Sequence, residues 1–391
     1  MWDDLAPVGR DGASGGYRRF AWTATDGELR EWFTGEARRR SLDVVTDRAG
    51  NLWAWLGDPD ADGPGLVLGS HLDSVPDGGA FDGPLGVVSA FAALDALRDA
   101  GWRPARPLGI AAFSDEEGAR FGVACAGSRI VTGNLEADRA RSLTDSDGTS
   151  MAEAMAAAGH DPDQVGRDDE TLRRVGTFVE LHIEQGRGLV SGSASVGVAS
   201  AIWPHGRWRL DLRGRADHAG TTRLADRADP MLDLAAAVTA ARRAATEHDA
   251  LATIGKLAVR PNGVNAIPSA VTAWLDARGP DERDVRSVVA AVGVAAGVAP
   301  AQESWTSPTV FDAGLRDRIA ALLAGPDGTP APVLATGAGH DAGILAAAGV
   351  PTAMLFVRNP TGVSHAPDEH AETDDCHRGV RALARVLDSW A

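Results

Sequence analysis

The sequence predicts an α/β fold in which a central, mainly parallel sheet is flanked by helices. Short, continuous apolar runs at residues 65–69, 108–113 and 178–183 are typical of buried strands. Between the first two runs, residues 86–100 have apolar side chains spaced along one helical face. This alternation of strands and helices favours parallel pairing, and the apolar run at 351–357 extends the pattern to the end of the chain.

The middle of the chain has a different order of strand and helix patterns, which predicts a second, inserted domain. Residues 207–213, 252–259 and 270–277 read as strands, whereas 230–245 and 281–294 have helical patterns. This β-α-β-β-α order predicts a small α+β open-faced sandwich. The main domain is therefore expected in two segments around the insertion, with the boundaries 1–198, 199–308 and 309–391.

Composition excludes several classes of protein. A length of 391 residues favours two domains, and 38 basic against 54 acidic residues give a net charge of −16. A chain this acidic is a poor partner for nucleic acid or for an anionic membrane. Cys125 and Cys376 cannot form a disulfide framework, and no run approaches the roughly 18 apolar residues of a membrane span. The first residues, Met1–Asp4, lack the basic and then apolar pattern typical of a signal peptide. We expect a soluble, cytoplasmic protein.

Polar side chains of one chemical type recur where the predicted strands end. Each fragment alone is more typical of a capping residue, a solvated face or a turn. Their joint occurrence at the carboxyl edge of an α/β sheet, where ligands bind, favours a functional site. The residues concerned are His71, Asp82, Glu116, Glu117, His182 and His365.

These side chains are ligands of the kind that zinc, manganese, cobalt or nickel accept. A shared carboxylate with two ligands on each side would hold two ions. Asp73, two residues after His71, could accept the other ring N–H of that histidine. Adjacent carboxylates at Glu116 and Glu117 cannot point the same way, so one is expected to bind metal while the other stays free as a base.

Eight motifs carry a resemblance that covers nearly the whole chain. They are GSHLDSV at 69–75, GGAFDGPLGV at 78–87, DEEGARFG at 115–122, ELHIEQG at 180–186, HAGTT at 218–222, VNAIP at 264–268, GAGHDA at 337–342 and SHAPDE at 364–369. With them the chain resembles the amidohydrolase branch of the di-zinc aminoacylase and carboxypeptidase superfamily. That branch contains N-carbamoyl-L-amino-acid hydrolases and allantoate amidohydrolases.

The resemblance implies a role for each residue of the set. His71 and His182 are implied to bind one ion, Glu117 and His365 the other, with Asp82 bridging the two. Glu116 is the implied general base, which takes a proton from the attacking water and delivers one to the leaving nitrogen. The implied cofactors are two divalent ions per chain, zinc or manganese, with cobalt or nickel also suited to these ligands.

The resemblance also gives the inserted domain a role as a lid and dimerisation domain of a homodimer. His218 resembles the residue that reaches the partner's active site and stabilises the oxyanion. Asn265 and Arg278 resemble lid residues that grip a substrate carboxylate. Gln185 and His340 are candidates for contacts with the substrate's polar end. Arg278 could instead be a surface arginine that closes a strand, and His340 a residue at a helix N-terminus.

The sequence leaves the substrate open. Asp217, Arg223 and Ser269 depart from the family pattern around the lid, whereas the metal motifs are intact. Our leading hypothesis is hydrolysis of a small N-carbamoyl or ureido acid, either allantoate or an N-carbamoyl-L-amino acid. Removal of a formyl or formimino cap from an acidic amino acid is an alternative. A dipeptidase and an inactive binding homologue are further alternatives.

Overall fold

The computed structural model describes residues 1–390, so the last residue of the predicted segment 309–391, Ala391, lies outside it. The chain forms two compact units. Unit 1 comprises Met1–Ser200 and Val310–Ala391, and unit 2 comprises Ala201–Thr309. Within residues 1–390, no helix has both the length and the apolar character needed to cross a membrane.

Unit 1 begins with alternating helices and strands. Its first segment contains the strands β1 (Asp43–Thr46), β2 (Leu52–Leu56), β3 (Gly65–His71), β4 (Leu108–Phe113), β5 (Val175–Ile183) and β6 (Val196–Ile202). The helices of this segment are α1 (Trp2–Leu5), α2 (Ala24–Arg39), α3 (Pro84–Asp99), α4 (Ala126–Thr132), α5 (Ala137–Ser142), α6 (Met151–Ala157), α7 (Asp169–Arg174) and α8 (Gly188–Ser191).

Unit 2 and the return to unit 1 complete the chain. Unit 2 contains β7 (His205–Arg213), β8 (Asp217–His218), α9 (Pro230–Glu247), β9 (Leu251–Arg260), β10 (Ala266–Ile267), β11 (Ala270–Arg278), α10 (Glu282–Ala296) and β12 (Ala301–Thr306). After it come β13 (Thr309–Val310), α11 (Ala313–Leu322), β14 (Val333–Thr336), α12 (Asp341–Ala347), β15 (Thr352–Val357) and α13 (Thr373–Ser389).

The sheet of unit 1 is parallel at its centre and antiparallel towards its edges. Its strand order is β1-β2-β4-β3-β5-β15-β6-β13, with β14 also paired to β6. The pairs β3–β4, β3–β5 and β5–β15 are parallel, whereas β1–β2, β2–β4 and β6–β15 are antiparallel. Strands β3, β4 and β15 are buried along their whole length, as their continuous apolar sequences predict. The predicted α/β class with a largely parallel central sheet is confirmed.

Helix α3 connects β3 and β4, two of the central strands, and packs against the sheet. It begins with Pro84 at its first position, where the missing N–H of proline is harmless. Phe91 and Leu94 on its inner face are fully buried in the main core, together with Leu68 of β3 and Ile110 of β4. The start of α3 is thereby fixed directly after Asp82, which lies two residues before Pro84.

Unit 2 is an antiparallel sheet covered by helices. Its strand order is β12-β7-β11-β9, and β7 and β11 alternate between buried and more exposed residues. The buried side chains of both strands form one core with residues of α9 and α10, including Leu234 and Val285. The fourth strand, β12, was not predicted, because its residues Ala301–Thr306 are polar and mostly exposed at the sheet edge.

The contact between α3 and the sheet leads to a stability prediction. A Cβ atom added at Gly86 would collide with the carbonyl oxygen of Leu181 and lie 2.6 Å from Cβ of Ser70. We expect Gly86→Ala to lower the free energy of unfolding by about 1–3 kcal/mol, the usual effect of overpacking. Gly27 lies in helix α2 with nothing within 4 Å of its added Cβ, so Gly27→Ala should raise stability by about 0.5–1 kcal/mol. Urea unfolding measures the free energy of unfolding of both variants. Equal changes in the two variants would contradict the prediction.

Candidate active site

The parallel strands bring the predicted polar residues to one edge of the sheet. His71, the last residue of β3, is in register with Phe113, the last residue of β4. His182 of β5 is in register with Phe356, near the end of β15. Because the carboxyl ends of parallel strands lie at the same edge, the segments that follow these strands converge there. Residues 114–117 and 364–365 belong to those segments.

Asp82 lies at the centre of the resulting cluster. Its Oδ1 atom is 3.5 Å from Nε2 of His71 and 3.1 Å from Nε2 of His182. Its Oδ2 atom is 3.5 Å from Nε2 of His365, and that nitrogen is also 3.5 Å from Oε2 of Glu117. One carboxylate therefore presents a different oxygen to each of two donor groups. All five residues that the sequence proposed as metal ligands are brought together.

The hydrogen bonds of the two buried histidines fit a cation on the Oδ1 side of Asp82. Nδ1 of His71 lies 3.2 Å from the carbonyl oxygen of Asp73, and Nδ1 of His182 lies 2.9 Å from that of Ile183. Since a carbonyl oxygen only accepts, each ring carries a hydrogen on Nδ1, and in its neutral form it directs the Nε2 lone pair at Asp82. Both Nε2 atoms are buried and have no hydrogen-bond partner within residues 1–390. Lone pairs that face a carboxylate need a positive charge between them.

The other donor group also fits a cation. Oε1 of Glu117 is buried and, within the described part of the chain, has no hydrogen-bond partner. Asp82, Glu117 and His365 each offer a ligand atom within 4.8 Å of the others, as do His71, Asp82 and His182. The two groups combine imidazole nitrogens with carboxylate oxygens, the ligand types that zinc and manganese accept.

Burial and crowding shift the ionisation of this cluster. Burial raises the pKa of Glu117 to about 8, and the nearby charge of Asp82 adds to the effect. Burial alone would lower the pKa of His71, but Glu116 and other carboxylates outweigh it and raise that pKa well above its usual value. Burial would raise the pKa of Asp82, but His182 and His71 hold it well below its usual value. Excess negative charge in a buried space favours the binding of cations.

Glu116 lies beside the cluster with one oxygen restrained and the other turned towards it. Its Oε1 accepts a hydrogen bond from the thiol of Cys125 at 3.4 Å, and its Oε2 is 3.7 Å from Nε2 of His71. Burial raises the pKa of Glu116 well above its usual value, although His71 opposes this effect. A carboxylate of raised pKa beside a metal-type cluster has the character of a general base.

Asp73 has a contact that sequence reasoning did not foresee. Its carboxylate accepts the backbone N–H groups of Glu116 at 3.1 Å and Glu117 at 3.0 Å. Its Oδ1 atom is 3.4 Å from Nδ1 of His71. The same Nδ1 atom forms its hydrogen bond with the backbone carbonyl oxygen of Asp73. Asp73 therefore fixes the backbone of both glutamates as well as lying against His71.

Gln185 and His340 both lie against the cluster. Nε2 of Gln185 donates to Oδ2 of Asp82 at 3.0 Å, while its Oε1 is buried and unpartnered among residues 1–390. The ring of His340 packs edge-on against His182 at a centroid distance of 4.5 Å. Both ring nitrogens of His340 are buried without a hydrogen-bond partner in the same range. Burial and the neighbouring His182 hold the pKa of His340 well below its usual value, so its ring is neutral.

The remaining predicted residues lie in unit 2, at two different places. His218 of β8 pairs with Ala266 of β10, and the N–H of Ala219 donates to the carbonyl of Asn265 at 3.0 Å. This short β8–β10 pair adjoins the Ala270 end of β11, whereas Arg278 is the last residue of that strand. Residues Ala270–Arg278 span roughly 27 Å at about 3.4 Å per residue. The guanidinium of Arg278 forms a two-point contact with the carboxylate of Asp276, at 2.8 and 2.7 Å.

The three departures from the family pattern are held in local contacts. Oδ1 of Asp217 accepts the N–H of His218 at 2.8 Å. Arg223 pairs with Asp226 at 2.7 Å, and the N–H of Ser269 donates to the carbonyl of Arg260 at 2.8 Å. The first of these contacts orients the backbone of His218.

Sequence reasoning missed several residues around the cluster. Glu180 lies two residues before His182, on the same side of β5, and groups with His182 and His340. Its oxygens already accept hydrogen bonds from Ser70 Oγ at 2.9 Å and the N–H of Ala342 at 3.0 Å. The two-residue period of the strand was the signal that could have identified Glu180. Cys125, Ser364 and Glu369 were also missed: the last two lie in the SHAPDE motif beside His365, but their contacts with Asp82 and its loop depend on the folded chain.

The fold and the site together define an α/β protein with buried groups of histidines and carboxylates that could hold metal ions. The family model for peptidase family M20/M25/M40 matches residues 67–389. The chain is 34% identical to an N-carbamoyl-L-amino acid amidohydrolase of Geobacillus stearothermophilus, over 99% of this chain and 97% of that protein. It is 31% identical to an allantoate amidohydrolase of Escherichia coli K12, over 98% and 95%.

A solved structure is similar along the whole chain. It is a hydantoinase/carbamoylase family amidase from Burkholderia vietnamiensis, with a TM-score of 0.88, 29% identity, and coverage of 100% of this chain and 95% of that one. The chain belongs to peptidase family M20/M25/M40.

Proposed function

We propose that this protein is a metal-dependent amidohydrolase that cleaves the C–N bond of a small N-carbamoyl or ureido acid. The observation that carries the proposal is the central position of Asp82, which presents one oxygen to each of two donor groups beside the buried carboxyl of Glu116. The substrate class rests on the similarity to an N-carbamoyl-L-amino acid amidohydrolase and an allantoate amidohydrolase.

The ligand set is suited to two divalent cations per chain, zinc or manganese, with cobalt or nickel also compatible. His71 and His182 would hold one ion, Glu117 and His365 the other, and Asp82 both. When bound, such ions lower the pKa of a water molecule and polarise a carbonyl group.

Glu116 is assigned as the general base. With Oε1 held by Cys125, its Oε2 faces the cluster and can accept the proton of the water that attacks the substrate carbonyl. The same carboxyl then donates that proton to the leaving nitrogen. Its buried position slows exchange of the proton with bulk water, which favours transfer to the substrate.

We assign substrate contacts to residues of each unit. Gln185 and the neutral ring of His340 lie beside the cluster and are assigned to the polar end of the substrate. Arg278 offers a planar fork for the substrate carboxylate, with Asn265 as a second group. His218 is assigned to the oxyanion in the partner's site, which requires a homodimer formed through unit 2. The separation of Arg278 from the β8–β10 pair, which carries His218, supports contributions from two chains.

The acidic composition argues against nucleic acid and anionic membrane as partners. Cys125 and Cys376 are both free thiols, which fits the reducing environment of a cytoplasmic protein.

A substrate panel tests the proposal. Purified protein reconstituted with manganese or zinc is incubated with allantoate, N-carbamoyl-L-amino acids, N-formyl and N-formimino amino acids and dipeptides. We expect ammonia release from a ureido or carbamoyl acid. Release of formate from an N-formyl amino acid, or of formamide from an N-formimino amino acid, would favour the alternative cap, and free amine from a dipeptide alone would favour a peptidase. No turnover of any member would contradict the enzyme class.

A further inference from the structure

A buried carboxylate from the end of the chain holds the loop that carries Asp82. Glu369 is only 5% exposed, and its Oε1 accepts the backbone N–H groups of Phe81 and Asp82, both at 2.9 Å. Its Oε2 accepts the hydroxyl of Ser364 at 3.1 Å. Both carboxylate oxygens are therefore engaged, and the contact joins segments 287 residues apart in sequence.

Two further contacts link Glu369 to the cluster. The hydroxyl of Ser364 also lies 3.2 Å from Oδ2 of Asp82, so one serine bridges the two carboxylates. A Cβ atom added at Gly79 would collide with Cβ and Oε1 of Glu369. The glycine therefore allows Glu369 to approach the loop closely.

The loop has to be held in place because the two carboxylate oxygens of Asp82 face different donor groups. Its Oδ1 faces His71 and His182, and its Oδ2 faces His365. A small rotation of the Phe81–Asp82 peptide would move both oxygens together and disrupt the ligand geometry of both donor groups. Hydrogen bonds that orient metal ligands in this way commonly account for 10–100-fold in metal affinity.

We propose that Glu369 is a positioning residue that locks the Phe81–Asp82 backbone and so sets the affinity of the cluster for both cations. The inference rests on the proposed function, because it assumes that the cluster binds metal. Glu369 touches neither the assigned base nor a substrate-binding group, so its effect acts through Asp82.

Zinc affinity of the full-length protein tests the inference without any substrate. Zinc alone is titrated in competition with a chromophoric chelator. We expect Glu369→Ala to lower the affinity roughly 10–100-fold. Glu369→Gln should restore most of it, because the amide oxygen can accept both backbone N–H groups while its NH2 group donates to Ser364. Asp368→Ala is the matched control, since Asp368 is an exposed neighbour in the same motif and should bind zinc like the unsubstituted protein.

A second variant keeps the test decisive if Glu369→Ala does not fold. Gly79→Ala leaves Glu369 in place but forces its carboxylate away, and should reproduce the loss of affinity. Gly12→Ala is its control, because nothing lies within 4 Å of the added Cβ there. Unchanged zinc affinity in folded Glu369→Ala, or in Gly79→Ala, would overturn the inference, as would a Gln variant as weak as the Ala variant. If the unsubstituted protein binds no zinc, the proposed function fails as well.

Discussion

Replacing Glu116 by glutamine is expected to lower kcat by about 10²–10⁴-fold, the usual contribution of a general base. The amide is nearly the same size but cannot accept a proton from water, so the cluster is preserved while proton transfer is lost. Its oxygen can still accept the hydrogen bond from the Cys125 thiol. Steady-state kinetics should therefore show a fall in kcat, and metal analysis should show the metal content of the unsubstituted protein.

The control for this variant is Glu28→Gln. Glu28 is exposed on helix α2 and lies outside the cluster, so its replacement should leave kcat unchanged. If Glu116→Gln hydrolyses substrate at the unsubstituted rate, Glu116 is not the base. If it loses its metal together with its activity, the residue acts as a ligand instead.

His218→Ala is expected to lower kcat by about 10²–10³-fold, the usual effect of removing one oxyanion donor. His218 is exposed on a two-residue strand, and its side chain contributes only local contacts such as Nδ1 with the N–H of Gly220 at 2.9 Å. The loss should therefore appear in kcat with little change in the thermal midpoint of unfolding. His248→Ala, at the end of helix α9, provides a matched histidine control expected to retain activity.

Mixing the two inactive variants tests whether His218 acts in the partner's site. A hybrid dimer of Glu116→Gln and His218→Ala chains contains one site with both residues intact. Random exchange of equal amounts should restore about a quarter of the unsubstituted activity, because half of the dimers are hybrid and each has one working site. Absence of recovery after verified subunit exchange would place His218 in its own chain's site or outside catalysis.

The central part of the fold could be predicted because its strands are buried on both faces. The apolar runs that became β3, β4, β5 and β15 need no partner information to be recognised, and their pairing places them in one parallel sheet. The elements at the edge of the sheet were harder to predict from the sequence. β1 is four residues long and mostly exposed, and helix α2 has an ordinary mixed sequence. Their positions follow from pairing and packing with distant segments, which local patterns do not encode.

The convergence of the five proposed ligands could be predicted because each of them follows a recognisable strand or lies in a distinctive motif. The residues that orient the ligands could not. Glu369 hydrogen bonds to a peptide 287 residues earlier, and Cys125 reaches Glu116 only because helix α4 begins beside it. A carboxylate that accepts backbone N–H groups leaves no periodic signal in the sequence. Such contacts depend on tertiary structure alone.

The most direct test of the central claim is the rate of ammonia release as a function of bound metal. Metal-free protein is titrated with manganese or zinc at saturating N-carbamoyl or ureido acid, and the bound metal is measured in the same samples. The expected result is negligible release without metal and a rise to a plateau near two ions per chain. Release that is independent of metal, or no release from any carbamoyl or ureido acid with two ions bound, would contradict the proposed function.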